Sequence, residues 1–435
     1  MPPAGILDLD DGLIWLIFVQ LSHSFLLMWA TNRKLHRLAK TPMAPPPRMV
    51  LRELPDYTRD SESTSTTEFF RHMMMMFTTR VRIASDRPVN MENLQILAAQ
   101  IAQGGSSVKH LTLSSIPNFR YHNLQWVSVH LVTLAFRNMD LCKFSSYFGL
   151  INGNLRHLEL SYCNLPYAEI CKCMQHVCVH APLLESLNLA GNRLTTGVCY
   201  QITTSLQQLT ALKTLNVDSN PLGNTGFHML SACLSERLTN LSANSVFMIV
   251  PLFLKPLYDR NINFLTCLHL ADNRICDTLA TDDLCDVLKM QLHLRSLDLS
   301  GNAILFDRAP ELCGAMVGFG SVLVDLNFAL CITESEPAMA GEISAFAGFL
   351  KGAVSLRRLN LSGNRLHLNG FSAYAKALPS MTSLCSLDLS DNQLDDGDAD
   401  ELLTSVQKLP LLKDLDLGAV ESEIGYGHDI WKFAN

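Results

Sequence analysis

From Leu294 to Ile304 the chain reads LRSLDLSGNAI, and close variants of that phrase return along the sequence. They are LRHLELSYCNL at Leu155–Leu165, LESLNLAGNRL at Leu184–Leu194, LTCLHLADNRI at Leu265–Ile275, LRRLNLSGNRL at Leu356–Leu366 and LCSLDLSDNQL at Leu384–Leu394. Weaker copies begin at Val108, Leu131, Leu212, Leu238, Leu323 and Leu412, giving about twelve copies at intervals of about 23 to 33 residues. Apolar residues at the first, fourth and sixth places point inward from a short parallel strand, because side chains alternate faces along a strand. The ninth place is polar and small: Asn192, Asn220, Asn273, Asn302, Asn364 and Asn392, with Cys163 and Cys331 as substitutes. Buried beside a turn, such a side chain satisfies backbone groups of the neighbouring repeat, so these are structural residues.

The residues between phrases carry a helical pattern. Thr195–Leu209 places Val198, Ile202, Leu206 and Leu209 on one stripe, and Asp398–Leu409 does the same with Leu402, Val406 and Leu409. Strand-plus-helix repeats of this length resemble the ribonuclease-inhibitor class of leucine-rich repeat, over roughly Val108 to Val420. The resemblance implies an α/β solenoid, a horseshoe with parallel strands on its concave face and helices on its convex face. It says almost nothing of function, since such solenoids bind unrelated partners.

Composition narrows the function. The chain has 435 residues, 48% hydrophobic and 17% charged, with a formal net charge of −7. That is a folded chain with a large core, and its acidity argues against nucleic acid as a partner. Thirteen scattered cysteines without an obvious secretory signal read as reduced thiols. No G-x-x-x-x-G-K-[ST] loop, H-E-x-x-H, G-x-S-x-G or C-x-x-C motif occurs, so an enzyme, a cofactor and a small-molecule substrate are not expected. One cluster merits weighing as a metal site: Cys163, Cys171, Cys173, His176, Cys178 and His180, in which Cys173, His176 and His180 share a helix face. The spacing is not a zinc signature, and cysteine is a common small core filler, so no metal is assigned.

Leu13–Ala30 (LIWLIFVQLSHSFLLMWA) has no charged residue and as a helix spans about 27 Å, close to the roughly 30 Å of a bilayer core. A transmembrane helix is therefore expected. Trp15 and Trp29 sit near its ends, at the membrane interface, with Arg33, Lys34 and Arg37 beyond it. Asp8, Asp10 and Asp11 precede it, so the positive-inside rule leaves the repeats on the matrix or cytosolic side. Gln20, His23 and Ser24 share one face near its middle and are expected to meet another protein helix. A core helix is the competing reading; a cleavable signal is disfavoured by the acidic leader.

The expected organisation is residues 1–40 for leader, membrane helix and basic flank, 41–68 for a Pro-rich and polar linker, and 69–107 for an N-terminal cap. The repeats then fill 108–420 and a C-terminal cap 421–435, where Ile430, Trp431 and Phe433 can cover the last repeat. Phe69–Ser85 is ambiguous between helix and strand. The central strand position, read as the concave contact row, runs Thr112, Ala135, Glu159, Asn188, Asn216, Ser242, His269, Asp298, Asn327, Asn360, Asp388 and Asp416. Glu159, His269, Asp298, Asp388 and Asp416 of this row, with Arg357 outside it, are the candidate concave contacts, although the row lacks the Trp, Tyr or Arg anchors of a typical hot spot. The triplets at Asn240 and Asn360 fall within strands and are not read as glycosylated.

These features together predict a non-enzymatic, membrane-anchored scaffold or accessory subunit of a multi-subunit membrane complex. The mitochondrial inner membrane is the expected setting, with other subunits and the lipid bilayer as partners. The alternative is a recognition or sensor module resembling a ubiquitin-ligase receptor, for which Glu53-Leu54-Pro55 is a faint adaptor signal.

Overall fold

The computed structural model describes residues 49–51, 80–84, 109–115, 131–247, 254–276, 278–302, 304, 308–331, 340–366, 371–392, 394–418 and 431–432. The chain divides into two compact units, Met1–Ser186 and Leu187–Asn435. In the first, β1 (Met49–Leu51), β2 (Arg80–Ala84), β3 (His110–Ser114), β4 (Thr133–Arg137) and β5 (His157–Ser161) pair in sequence order, all parallel. β3 and β4 belong to the weaker copies at Val108 and Leu131. β1 and β2 extend the same ladder upstream of Val108, within stretches read as linker and cap, and β2 settles part of Phe69–Ser85 as strand.

The second unit follows the repeat spacing. β6 (Ser186–Asn188), β7 (Thr214–Asn216), β8 (Asn240–Ser242), β9 (Cys267–His269), β10 (Ser296–Asp298), β11 (Asp325–Asn327), β12 (Arg358–Asn360), β13 (Ser386–Asp388) and β14 (Asp414–Asp416) lie side by side in chain order. Each of these strands buries its central leucine and leaves the flanking positions partly or fully exposed, as alternation requires. The first-place and sixth-place residues, such as Leu294 and Leu299, are fully buried on either side of Leu297.

Helices return the chain from one strand to the next: α1 (Tyr167–His180) in the first unit, then α2 (Thr196–Gln208), α3 (Gly223–Ser231), α4 (Lys255–Asp259), α5 (Thr278–Met290), α6 (Ala309–Gly320), α7 (Ala340–Gly352), α8 (Phe371–Ala377) and α9 (Asp396–Val406). In α2 the expected stripe of Val198, Ile202 and Leu206 is buried, and Leu209 closes it just beyond the helix. α9 begins before the expected Asp398. Asp395 Oδ1 accepts the Asp398 N–H at 2.8 Å while the Asp398 carboxylate reaches back to the Asp395 N–H, a reciprocal cap that starts the helix earlier. Among the described residues, two returns are not full α-helices. Between β4 and β5 the short repeat permits only the 3₁₀ helix Phe144–Leu150, and α4 is a five-residue turn with Pro256 in its first turn.

Two recurrent devices hold consecutive repeats in register. The ninth-place asparagines are fully or almost fully buried. Asn302 is representative: its Oδ1 accepts the Asn273 N–H at 2.9 Å, and its Nδ2 donates to Leu270 O at 2.7 Å and Leu299 O at 2.8 Å. One amide thus ties two successive turns together. Cys331 donates from Sγ to Leu299 O at 3.0 Å, but its backbone N–H still needs Asn364 Oδ1, 2.9 Å away. The second device is conformational. The eighth place adopts positive φ in Ser219, Ser245, Asp272, Gly301, Leu330, Gly363 and Asp391 alike. A Cβ on Gly301 would run into the Asp272 side chain, and one on Gly363 into Leu330, so at these two places glycine supplies both the φ and the space.

At the C-terminal end β15 (Trp431–Lys432) pairs antiparallel with β14, Trp431 opposite Leu415. The last parallel strand is therefore paired along its outer edge at Asp414 and Leu415.

Asn302→Leu removes an amide that accepts from the Asn273 and Ile275 N–H groups and donates to the carbonyls of Leu270, Leu299 and Ser300, at a fully buried position. Urea unfolding followed by circular dichroism should show a loss of about 2–3 kcal/mol. A change below about 0.5 kcal/mol would refute the bridging role.

Candidate functional site

The central strand position proves to have a structural duty of its own. In Asn188, Asn216, Asp298, Asn327, Asn360, Asp388 and Asp416 the side-chain Oδ1 accepts the backbone N–H two residues on, at 2.9–3.2 Å. This closes the turn as the strand ends, which is why the row reads Asn or Asp rather than aromatic. In Asp298 and Asp388 the same oxygen also accepts the hydroxyl of Ser300 or Ser390, each at 2.7 Å. Asp298 Oδ2 further accepts from Asn327 Nδ2 at 3.2 Å. The row is thus a polar face whose carboxylates are partly engaged.

The remaining candidates have distinct neighbours. In the first unit Glu159 receives a two-bond fork from Arg137, both contacts 2.6 Å, and Ser161 Oγ also donates to it. The bond to Glu159 is the main reason the Arg137 guanidinium is held still more firmly protonated than usual. In the second unit His269 Nε2 lies 3.1 Å from Cys267 Sγ and 3.0 Å from Ser296 Oγ. Burial pushes the Cys267 thiol up, and Asp325, Asp298 and Asp218 reinforce the shift against the Ser296 hydrogen bond. A thiol held protonated in this way is a poor nucleophile. Arg357, one residue before β12, is exposed, whereas its neighbour Arg358 reaches Asp325 at 2.6 Å. Asp218, absent from the sequence-based candidates, accepts from Ser242 Oγ at 2.8 Å and from the Asn244 N–H at 2.7 Å.

The cysteine and histidine cluster resolves into packing. Cys173 is buried in the core with its thiol pushed up by burial. His176 stacks on Phe148 with ring centroids 4.5 Å apart and on His180 at 4.0 Å, its Nε2 3.2 Å from Phe148 O. Among the described residues no group of three or more His, Cys, Asp or Glu side chains is placed to hold a metal ion. Cys313, Phe328, Phe346, Leu361 and Tyr374 line a small apolar pocket.

Gln20, His23, Ser24, Trp15, Trp29, Arg33, Lys34 and Arg37 lie outside the described residues, as does all of Leu13–Ala30. Among the described residues no helix is long and apolar enough to cross a membrane.

A family model described as Leucine Rich repeat matches residues 291–304 and 380–403. The chain is 27% identical over 290 residues to Tonsoku-like protein of Bos taurus, covering 61% of this chain and 20% of that protein. It is 25% identical over 355 residues to NACHT, LRR and PYD domains-containing protein 5 of Homo sapiens, covering 67% of this chain and 28% of that one. The chain thus spans between 20% and 28% of the length of these curated relatives. Among solved structures, an internalin from Listeria monocytogenes covers 82% of this chain and 85% of its own at 18% identity and a TM-score of 0.42. The repeats, their parallel strands and the family match together make this chain a leucine-rich-repeat protein.

Two measurements check the site. Cys163, Cys199 and Cys313, whose buried thiols are pushed up to about 12, should resist iodoacetamide until the chain is unfolded, while exposed Cys142 and Cys276 react at once. Peptide mass spectrometry reads the order directly; early labelling of Cys163 would contradict the fold. For the central row, Asp388→Asn should keep native stability because an amide oxygen accepts the same bonds. Asp388→Ala should lose about 1 kcal/mol in the same unfolding assay, and equal behaviour of the two variants would deny the turn-closing role.

Proposed function

We propose that this protein is a non-enzymatic scaffold: its leucine-rich repeats contribute contact surface within a multi-subunit membrane complex, and Leu13–Ala30 tethers it to the bilayer. Support for the scaffold part comes from the long polar sheet face, which offers contact area to a protein partner and whose strand cysteine Cys267 is held protonated. Support for the tether comes from the charge-free run with tryptophans at its ends and cations after it. Gln20, His23 and Ser24 would then face a neighbouring subunit's helix, and Glu159, His269, Asp298, Arg357, Asp388 and Asp416 would offer contacts on the repeat face. The short span and the reduced cysteines fit the mitochondrial inner membrane, with the repeats on its matrix side.

The single observation that carries this reading is the coexistence of a spanning-length apolar run with a repeat array whose inward-facing leucines, such as Leu294, Leu297 and Leu299, are buried. Alkaline carbonate extraction of native membranes should leave the chain in the pellet, and mild-detergent isolation should recover it with stoichiometric partner subunits. Release into the carbonate supernatant as a monomer would defeat the proposal.

A further inference from the structure

Because β9 to β14 are parallel and in register, with Cys267, Ser296, Asp325, Arg358, Ser386 and Asp414 opposite one another, residues a fixed distance ahead of each strand line one edge of the second unit. Three or four residues ahead stand Phe264, Leu292, Val322, Val354 and Leu411, exposed by 57%, 58%, 36%, 46% and 50%. Phe264 stacks on His293 of the following repeat at a centroid distance of 6.2 Å. The row is interrupted at the β13 repeat, where Thr382 and Ser383 occupy these places. With strands about 4.8 Å apart it runs for about 24 Å.

Cations accompany the row. Arg295, Arg357 and Lys413 each sit one residue before a strand, exposed, and Arg237 lies on the same edge at β8. Lys289 and Lys351 occupy last helical turns, where the helix dipole attracts positive charge, and Lys408 follows α9. The dipole does not account for Arg295, Arg357 or Lys413, which belong to the strand side. Among the described residues Arg237, Arg295, Lys351, Arg357, Lys408 and Lys413 form no ion pair. Carboxylates on this side include Glu236 and Asp414, together with Asp259, Asp286 and Asp325, which are paired to Lys255, Lys289 and Arg358. A chain of net charge −7 therefore gathers cations and bare apolar side chains along one edge.

Singly exposed apolar residues are ordinary, but a periodic row flanked by cations is the pattern of a surface that meets lipid headgroups. We propose that this strand-start edge rests on an anionic phospholipid surface, its apolar side chains entering the headgroup layer while Arg295, Arg357 and Lys413 meet lipid phosphates. The row follows successive strand starts along an edge of the sheet, so it suits a plane better than the helix-in-groove docking of a protein segment. The inference deepens the membrane reading above, which supplies access to a bilayer.

The test is hydrogen–deuterium exchange of the full chain in nanodiscs of phosphatidylcholine alone or mixed with phosphatidylserine. Peptides covering 262–266, 289–295, 351–357 and 408–413 should exchange more slowly on the anionic discs, and R295E/R357E/K413E should erase that difference while staying incorporated. If the tether reading fails and the chain does not enter discs, the edge still predicts salt-reversible cosedimentation with phosphatidylserine vesicles. That binding should fall on the order of a hundredfold in the triple variant, and less steeply in L292S/L411S. Exchange indifferent to lipid charge in incorporated chain, vesicle binding unaltered in the triple variant, or protection of these peptides by a co-isolated protein in place of lipid would each overturn the proposal.

Discussion

The buried asparagine that bridges one repeat to the next is the constraint on which the rest depends. A three-residue strand contributes too few ladder bonds to fix its own position, and the tight turn that follows leaves backbone groups turned inward away from water. The asparagine amide meets both needs, accepting from one turn and donating to carbonyls of two. Without it the leucines at the first, fourth and sixth places would still be greasy, but nothing would set where one turn sits on the next. The Asn273 and Asn302 pair shows the logic: each side chain completes a turn it does not belong to.

From that bridge follow the positive φ of the eighth place and the Asn or Asp of the central strand place. The chain must leave the strand, reverse and present the bridging side chain within a few residues. A left-handed residue supplies the reversal and the central carboxylate or amide closes the turn from the other side. What looks like a recognition row is thus partly the price of turning sharply. Beside the row's turn-closing groups stand the Arg137 and Glu159 fork, the Cys267, His269 and Ser296 cluster, and the cationic, apolar strand-start edge.

The repeat phrase made most of the fold legible, because its spacing states both the strand alternation and the bridge. Asn302, Asn364 and Cys331 stand where the phrase places them, and α2 falls within a residue of its apolar stripe. Less legible were the returns between β4 and β5 and at α4, where chain length and a proline decide the helix type and the apolar pattern does not. β1 and β2 carry no recognisable phrase, so their membership of the ladder came from pairing alone. The turn-closing duty of Asp388 could have been suspected, since Asn and Asp recur at that place, but recurrence alone does not distinguish a binding row from a structural one.

By itself the sequence determined that leucines would alternate into a common core and that a small polar group would lie beside each turn, since both follow from periods local to one repeat. It also determined the apolar run at Leu13–Ala30 and the overall negative charge. Only the tertiary structure decided which side chains from different repeats meet. Arg295, Arg357 and Lys413 are tens of residues apart in the chain, and strand register alone brings them onto one edge. The same holds for His176, whose spacing suggested a ligand and whose stacking on Phe148 and His180 made it part of the packing, because contacts between elements depend on three-dimensional neighbours that no local period encodes.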